Sequence, residues 1–75
     1  MDLAQAELNI ARAVDAAAVA GATPRVLERV AVLAAERCAD AVSDGRTVLP
    51  RGGLESYLVG VAARCAERAA RARHD

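Results

Sequence analysis

Apolar residues recur every three or four positions along most of this 75-residue chain, which is the spacing of amphipathic α-helices. Two short stretches interrupt the pattern, one around Gly21 and one over residues 46–53. The interruptions predict three helices, at about residues 2–20, 24–44 and 54–73. We therefore expect an all-α fold, a small antiparallel three-helix bundle that forms a single domain over residues 1–75.

The predicted helix ends carry residues that are typical of caps. Asp2 is suited to cap the first helix, with Gln5 in the position of a capping box, and Gly21 is suited to end it. Thr23 followed by Pro24 is typical of a helix start, because the Thr oxygen accepts from a free N–H and Pro lacks one. We expect the second helix to stop at Gly45 and residues 46–53 to form a loop.

Each predicted helix has one apolar face, which we expect to form the core. The face of the first helix comprises Leu3, Ala6, Ile10, Ala13, Val14 and Ala17. The face of the second comprises Leu27, Val30, Ala31, Ala34, Cys38, Ala41 and Val42, and that of the third comprises Leu54, Leu58, Val61, Cys65 and Ala72. Val48 and Leu49 in the loop are expected to pack against the bundle.

Other aliphatic residues lie away from these faces. Leu8 and Val19 lie on the opposite side of the first helix, and Val32 lies behind the second. Val26 and Leu33 widen the second face to one side. Val59 forms a second ridge behind the third helix, together with Ala63, Ala66 and Ala70. These residues are either ordinary exposed aliphatics or surfaces that meet another chain.

Composition favours the second interpretation. Hydrophobic residues make up 55% of the chain, but twenty of them are Ala, and Tyr57 is the only aromatic residue. Ala favours helices but contributes little apolar area to a core. A chain this small usually adds a disulfide, a metal or a partner. We expect a homo-oligomer, or a subunit docked on a larger protein.

The residues that could support catalysis, metal binding or a cofactor are sparse, and we expect none of the three. His74 is the single histidine, and Cys38 and Cys65 lie too far apart for a zinc motif. The two thiols are either reduced core residues or a disulfide between the second and third helices. No apolar run is long enough for a membrane span and no signal peptide is visible, so we expect a cytoplasmic protein.

Ten Arg balance ten acidic residues, and the Arg concentrate towards the C-terminus. Tyr57, Arg64, Arg68 and Arg71 share one flank of the third predicted helix. Arg in the last turns suits the helix dipole, and Glu67 can pair with Arg64 and Arg71. The other interpretation is an arginine ridge that binds phosphate or an acidic protein surface.

One local pattern resembles a helix-turn-helix unit. Ala17, Gly21, Thr23 and Leu27 stand at the spacings of such units, a small residue followed by a turn glycine and the second helix. Arg25 and Arg29 would then be candidate nucleic-acid contacts. Glu28 and the length of the second helix argue against this interpretation.

The sequence thus predicts a non-catalytic helical protein–protein interaction or oligomerisation module, an assembly or adaptor subunit. The predicted partner interface comprises Leu8, Val19, Val32, Val59 and Tyr57, with Arg64, Arg68 and Arg71 as a polar rim that selects orientation. The alternative is a nucleic-acid-binding protein that uses residues 17–27 or the arginine ridge.

Overall fold

A computed structural model describes residues 1–42 and 51–74 of the chain. These residues form three helices: α1 (Leu3–Val19), α2 (Pro24–Ala41) and α3 (Arg51–His74), and the described ranges contain no strand. The predicted all-α three-helix bundle is confirmed. The expected stop at Gly45 and the expected packing of Val48 and Leu49 lie outside the described residues.

Contacts between the helix ends establish the topology. The Met1 amino group donates to the Ala41 carbonyl oxygen at 3.2 Å, so the start of α1 meets the end of α2, and the two helices are antiparallel. Tyr57, near the start of α3, donates to Glu7, near the start of α1, at 3.0 Å. The helices therefore run up, down and up, and the bundle measures 41 × 17 × 16 Å.

Local side-chain chemistry explains where α1 and α2 begin. Asp2 Oδ1 accepts a hydrogen bond from the Gln5 N–H at 2.8 Å, and Thr23 Oγ1 accepts from the Val26 N–H at 3.3 Å. Both predicted N-caps are confirmed. The Gln5 side chain donates to Asn9 Oδ1 at 3.0 Å instead of returning to Asp2, so the capping box is only half formed.

The turn between α1 and α2 depends on Gly21. Its φ of 90° is in the left-handed region, as the sequence predicts for a helix-ending glycine. The Gly21 N–H donates to the Ala18 carbonyl oxygen at 3.0 Å, and the Ala22 N–H donates to the Ala17 carbonyl oxygen at 3.0 Å. This pair of bonds is a Schellman motif, and it returns the chain for antiparallel packing within four residues.

Two helix boundaries differ from the prediction. α2 ends at Ala41 instead of near residue 44, because Val42 leaves the helical conformation with a ψ of 80° while its side chain is buried. α3 begins at Arg51, so residues 51–53, which we expected in the loop, are helical. Two consecutive glycines are poor helix formers, but helix propensity is a weak constraint that tertiary packing overrides. Leu54 and Leu58, both buried, supply that packing in the next turn.

The core contains few large side chains. Ile10, Val14, Leu27 and Leu58 are fully buried. Most of the other buried residues are alanines: Ala6, Ala31, Ala35, Ala39, Ala62, Ala66 and Ala69. Small side chains allow close approach of the helix axes, and the α2–α3 contact is the most extensive of the three.

The core corrects several predicted faces. Ala41 and Ala72, which we placed in the core, are exposed. Ala35, Ala39, Ala62, Ala66 and Ala69 are buried instead, so the buried face of α3 is rotated relative to the predicted one. Val59 and Ala70 pack against the core, and Ala66 belongs to it, which contradicts the prediction of an unused ridge behind the third helix. Val59 is thus partly buried within its own chain, while Ala63 of the same ridge is exposed.

Candidate interaction surface

The two predicted interface residues of α1 are exposed but separate. Leu8 is 44% exposed and Val19 is 90% exposed. Leu8 and Val19 are eleven residues apart, which corresponds to about 16 Å along a helix. The exposed Arg12 and Asp15 lie between the two residues on the same side of α1. The structure does not bring Leu8 and Val19 together into one apolar patch.

The outer side of α2 has the denser group of exposed aliphatic residues. Val32 is 37% exposed and Leu33 is 48% exposed, and together with charged side chains of α2 they line one surface groove. We call Arg25, Arg29, Val32, Leu33 and Glu36 the outer α2 face. These residues lie within an arc of about 100° on the helix, with two aliphatic side chains at the centre and charges towards both ends.

Leu33 also belongs to a second groove, between α1 and α2. Asn9 and Ala13 line this groove on the α1 side, and Val30, Leu33, Ala34, Arg37 and Cys38 line it on the α2 side. Val26, which is 47% exposed, lies one turn before Val30 on the same flank. We expected Val26 and Leu33 to widen the buried face, but α1 packs without covering them.

The sequence pattern already indicates that Leu33 lies away from the centre of the buried face of α2. Val26, Val30 and Leu33 follow the spacing i, i+4, i+7, which places them on one side of a helix. At about 100° per residue, Val26 and Leu33 lie about 100° and 120° around the helix from the buried Leu27, whereas Val30 lies about 60° from it. The sequence therefore indicates that Val26 and Leu33 lie at the edge of the buried face, with Val30 between them and the core.

Tyr57 joins α3 to α1 instead of standing free. It is 40% exposed, and its hydroxyl donates to Glu7 Oε1 at 3.0 Å. The hydrogen bond to Glu7 and the charge of that carboxylate raise the pKa of Tyr57, desolvation adds to the rise, and the charge of Arg64 opposes it. The Tyr57 hydroxyl thus has an intrachain partner at the surface where we predicted a contact with another chain.

Arg64, Arg68 and Arg71 lie together on α3 around Glu67. Arg71 Nη2 lies 2.6 Å from Glu67 Oε1, and both side chains are well exposed, at 77% and 62%. The predicted pairing of Glu67 with Arg71 is confirmed, and over the described residues the structure gives no such pair for Arg64. An exposed pair one helical turn apart contributes only about 0.3–0.5 kcal/mol. The cluster carries a mixed charge pattern, with one of its guanidinium groups already neutralised.

Cys38 and Cys65 are both free thiols in the structure. Cys38 is buried, its Sγ lies 3.7 Å from the Ala6 carbonyl oxygen, and desolvation raises the pKa of its thiol. Within residues 1–42 and 51–74, no three His, Cys, Asp or Glu side chains come together as a metal site would require. Over the same described ranges, no helix is both long and apolar enough to cross a bilayer.

The helix-turn-helix-like unit forms a tight turn, but α1 and α2 run antiparallel instead of crossing at the roughly 90–120° of a helix-turn-helix. Ala17 is half-buried, Leu27 is fully buried, and the turn between them is the Schellman motif at Gly21. Arg25 and Arg29 are exposed on the outer α2 face, where Glu28 and Glu36 line the same groove. The two arginines are therefore accessible, but acidic side chains accompany them.

Comparisons of this chain with protein-family models, with curated proteins and with solved structures give no match.

Proposed function

We propose that this chain is a non-catalytic helical interaction module that assembles with a second copy of itself. One observation carries the proposal. Among the described residues, as many large apolar side chains are more than a third exposed as are buried, seven of each. Burial of apolar surface is the main favourable term in folding and association, and a chain of this size has little to spare. A second copy would bury apolar area that the single bundle leaves in water.

The exposed aliphatic side chains favour α2 as the assembling helix. Val32 and Leu33 lie on the outer α2 face and Val26 lies on the flank beside Leu33, each between 37% and 48% exposed. Leu8 and Val19 stand apart on α1, with charged side chains between them. A helix that presents several neighbouring aliphatic residues can seat a partner helix, whereas isolated exposed residues are common on any protein surface.

The charges near these residues suit a protein partner better than a nucleic acid. Arg25 and Arg29 share their groove with Glu28 and Glu36. Binding to a phosphate backbone needs an excess of positive charge, because its strength depends on the number of phosphates neutralised. A surface with both signs can match a partner surface that also carries both signs.

Sedimentation equilibrium tests the proposal. Because Tyr57 is the only aromatic residue, interference optics should replace absorbance at 280 nm. Between about 10 µM and about 1 mM, we expect the average mass to rise from 7.8 kDa towards twice that value. A mass of 7.8 kDa over the whole range would refute self-association.

Leu33→Asp and Leu8→Asp form a matched pair for the same experiment. The two leucines have similar exposure, 48% and 44%, so the same substitution perturbs the folded monomer to a similar extent. We expect Leu33→Asp to keep the chain monomeric and Leu8→Asp to associate like the wild type. Circular dichroism at 222 nm checks that both variants remain helical.

A further inference from the structure

We propose that two copies pair through α2 in an antiparallel arrangement, with a two-fold axis that passes between Val32 and Leu33. The inference rests on the proposed function and names its geometry: the outer α2 face of one copy lies against the same face of the other. The charge pattern of α2, and not its apolar area, carries this step.

The charges of the outer α2 face are self-complementary under this operation. Turning α2 end for end about the point between Val32 and Leu33 places Arg29 opposite Glu36 of the second copy, and Arg25 opposite Asp40. Arg29 and Glu36 are seven residues apart and lie on the same side of the helix, so they can meet across one interface. Because a two-fold interface repeats every contact, each pair of opposite charges occurs twice.

The two central aliphatic residues fall at the axis. Val32 and Leu33 occupy adjacent positions there, so each lies close to its own copy in the partner. Glu28 and Arg37 also exchange under the same operation, but they are nine residues apart and half a turn out of phase. We assign no contact to that pair.

Some of these charges are unfavourable in an isolated α2, although Arg25 also lies one turn from Glu28, and Asp40 one turn from Arg37, with opposite sign. Arg25 lies in the first turn and Asp40 in the last, where the helix dipole favours the opposite signs, and α2 has no acidic residue in its first turn and no basic residue in its last. Arg25 and Arg29 are one turn apart with like charge, as are Glu36 and Asp40, and like charges at this spacing repel. An antiparallel second copy places an opposite charge beside Arg29 and Glu36, which carry the argument, because Asp40 already has an interaction within its own chain.

The side chains at the centre of this arrangement are available for pairing. Over the described residues, neither Arg29 nor Glu36 makes an ion pair or a side-chain hydrogen bond. Both are exposed on the side of α2 that faces away from the buried Leu27 and Ala31. A parallel pair of α2 helices would instead place Arg29 near Arg29 and Glu36 near Glu36, which repel.

The area available predicts a weak dimer. A stable complex usually buries about 800 Å² on each partner, and one exposed helix face offers less than that. We therefore expect a reversible dimer with a dissociation constant on the order of 10–100 µM, and a concentration series is needed to observe it.

Charge reversal provides the test. In the full chain, Arg29→Glu and Glu36→Arg each create like-charge pairs at both ends of the two-fold interface. We expect each variant alone to raise the dissociation constant by about tenfold. An equimolar mixture of the two variants should form a heterodimer of nearly wild-type affinity, because the antiparallel arrangement then restores every opposite-charge pair. The double variant Arg29→Glu/Glu36→Arg should self-associate like the wild type.

Arg12→Glu is the control, since Arg12 is also exposed but lies on the outer side of α1. It should leave the dissociation constant unchanged. Wild-type association that the two single variants do not weaken, or that their mixture does not restore, would overturn the antiparallel α2 pairing while leaving self-association in place. A wild type that stays monomeric throughout would overturn both.

Discussion

Replacing Gly60 with Ala should stabilise the bundle, and the structure gives the magnitude. Gly60 lies in the interior of α3, and a Cβ added there meets no atom within 4 Å. The substitution therefore changes neither packing nor sterics, and only the helix preference remains. Ala is favoured over Gly in a helix interior by about 0.8–1 kcal/mol. For a domain of this size, about 1 kcal/mol raises Tm by roughly 4–8 °C.

Gly21→Ala is the matched substitution with the opposite expected sign. A Cβ at Gly21 also meets nothing within 4 Å, but the φ of 90° is one that L-residues avoid. The left-handed conformation costs a non-glycine residue about 1–2 kcal/mol. Ala restricts the unfolded chain in both variants, which returns about 0.4–1 kcal/mol. The difference between these two contributions predicts that Gly21→Ala destabilises the fold by about 1 kcal/mol, so the two alanine variants should differ by roughly 2 kcal/mol.

Urea unfolding followed by circular dichroism at 222 nm measures both values. All samples should have one low protein concentration, because self-association would make the apparent stability depend on concentration. If Gly60→Ala lowers the midpoint, the added methyl group meets an obstruction in α3 and the described packing is wrong. If Gly21→Ala leaves the midpoint unchanged, the turn does not need a left-handed residue and the Schellman motif is not maintained in solution.

Two further predictions concern the core and the contact between α1 and α3. Leu58 is fully buried, so Leu58→Ala should destabilise the bundle by about 2–5 kcal/mol. Leu8→Ala, at an exposed site, should change the free energy of unfolding by less than about 0.5 kcal/mol. Equal effects of the two substitutions in urea unfolding would contradict the assigned core. The hydrogen bond to Glu7 raises the pKa of Tyr57, so the 295 nm absorbance titration of this single tyrosine should have its midpoint above the ordinary value of 10.0, and Glu7→Gln should lower it. The hydrogen bond from the neutral Tyr57 hydroxyl stabilises the native state, so its contribution to stability is complete below about pH 10 and is lost as the pH rises through the raised pKa of Tyr57. A stability difference between wild type and Tyr57→Phe that does not shrink as the pH rises above the raised pKa would contradict the contact.

Sequence reasoning succeeded where the cause is local. Asp2 and Thr23 cap their helices because a short side-chain oxygen can reach an N–H three residues later in the same segment. Gly21 ends α1 because only the residue itself decides whether φ can be positive. Helical periodicity likewise predicted that Leu8, Val19 and Val32 lie away from the core, and all three are exposed.

Sequence reasoning failed where neighbouring helices decide the outcome. With twenty alanines in the chain, periodicity cannot separate an alanine that fits between close helix axes from one in water. Ala66 and Ala69 are buried while Ala72 is exposed, and Val59 packs partly buried against the core. The exposure of Leu33 has the same origin, since α1 leaves that flank of α2 uncovered.

The amino-acid sequence by itself thus determined the three helices, the N-caps of α1 and α2 and the turn at Gly21, because those depend on interactions within a few residues. Only the tertiary structure decided which alanines form the core, that Val59 is partly buried against it, and that Arg29, Val32, Leu33 and Glu36 share one accessible face. The physical reason is that burial depends on the rotation of each helix about its axis. That rotation is set by the simultaneous packing of all three helices and not by any one of them.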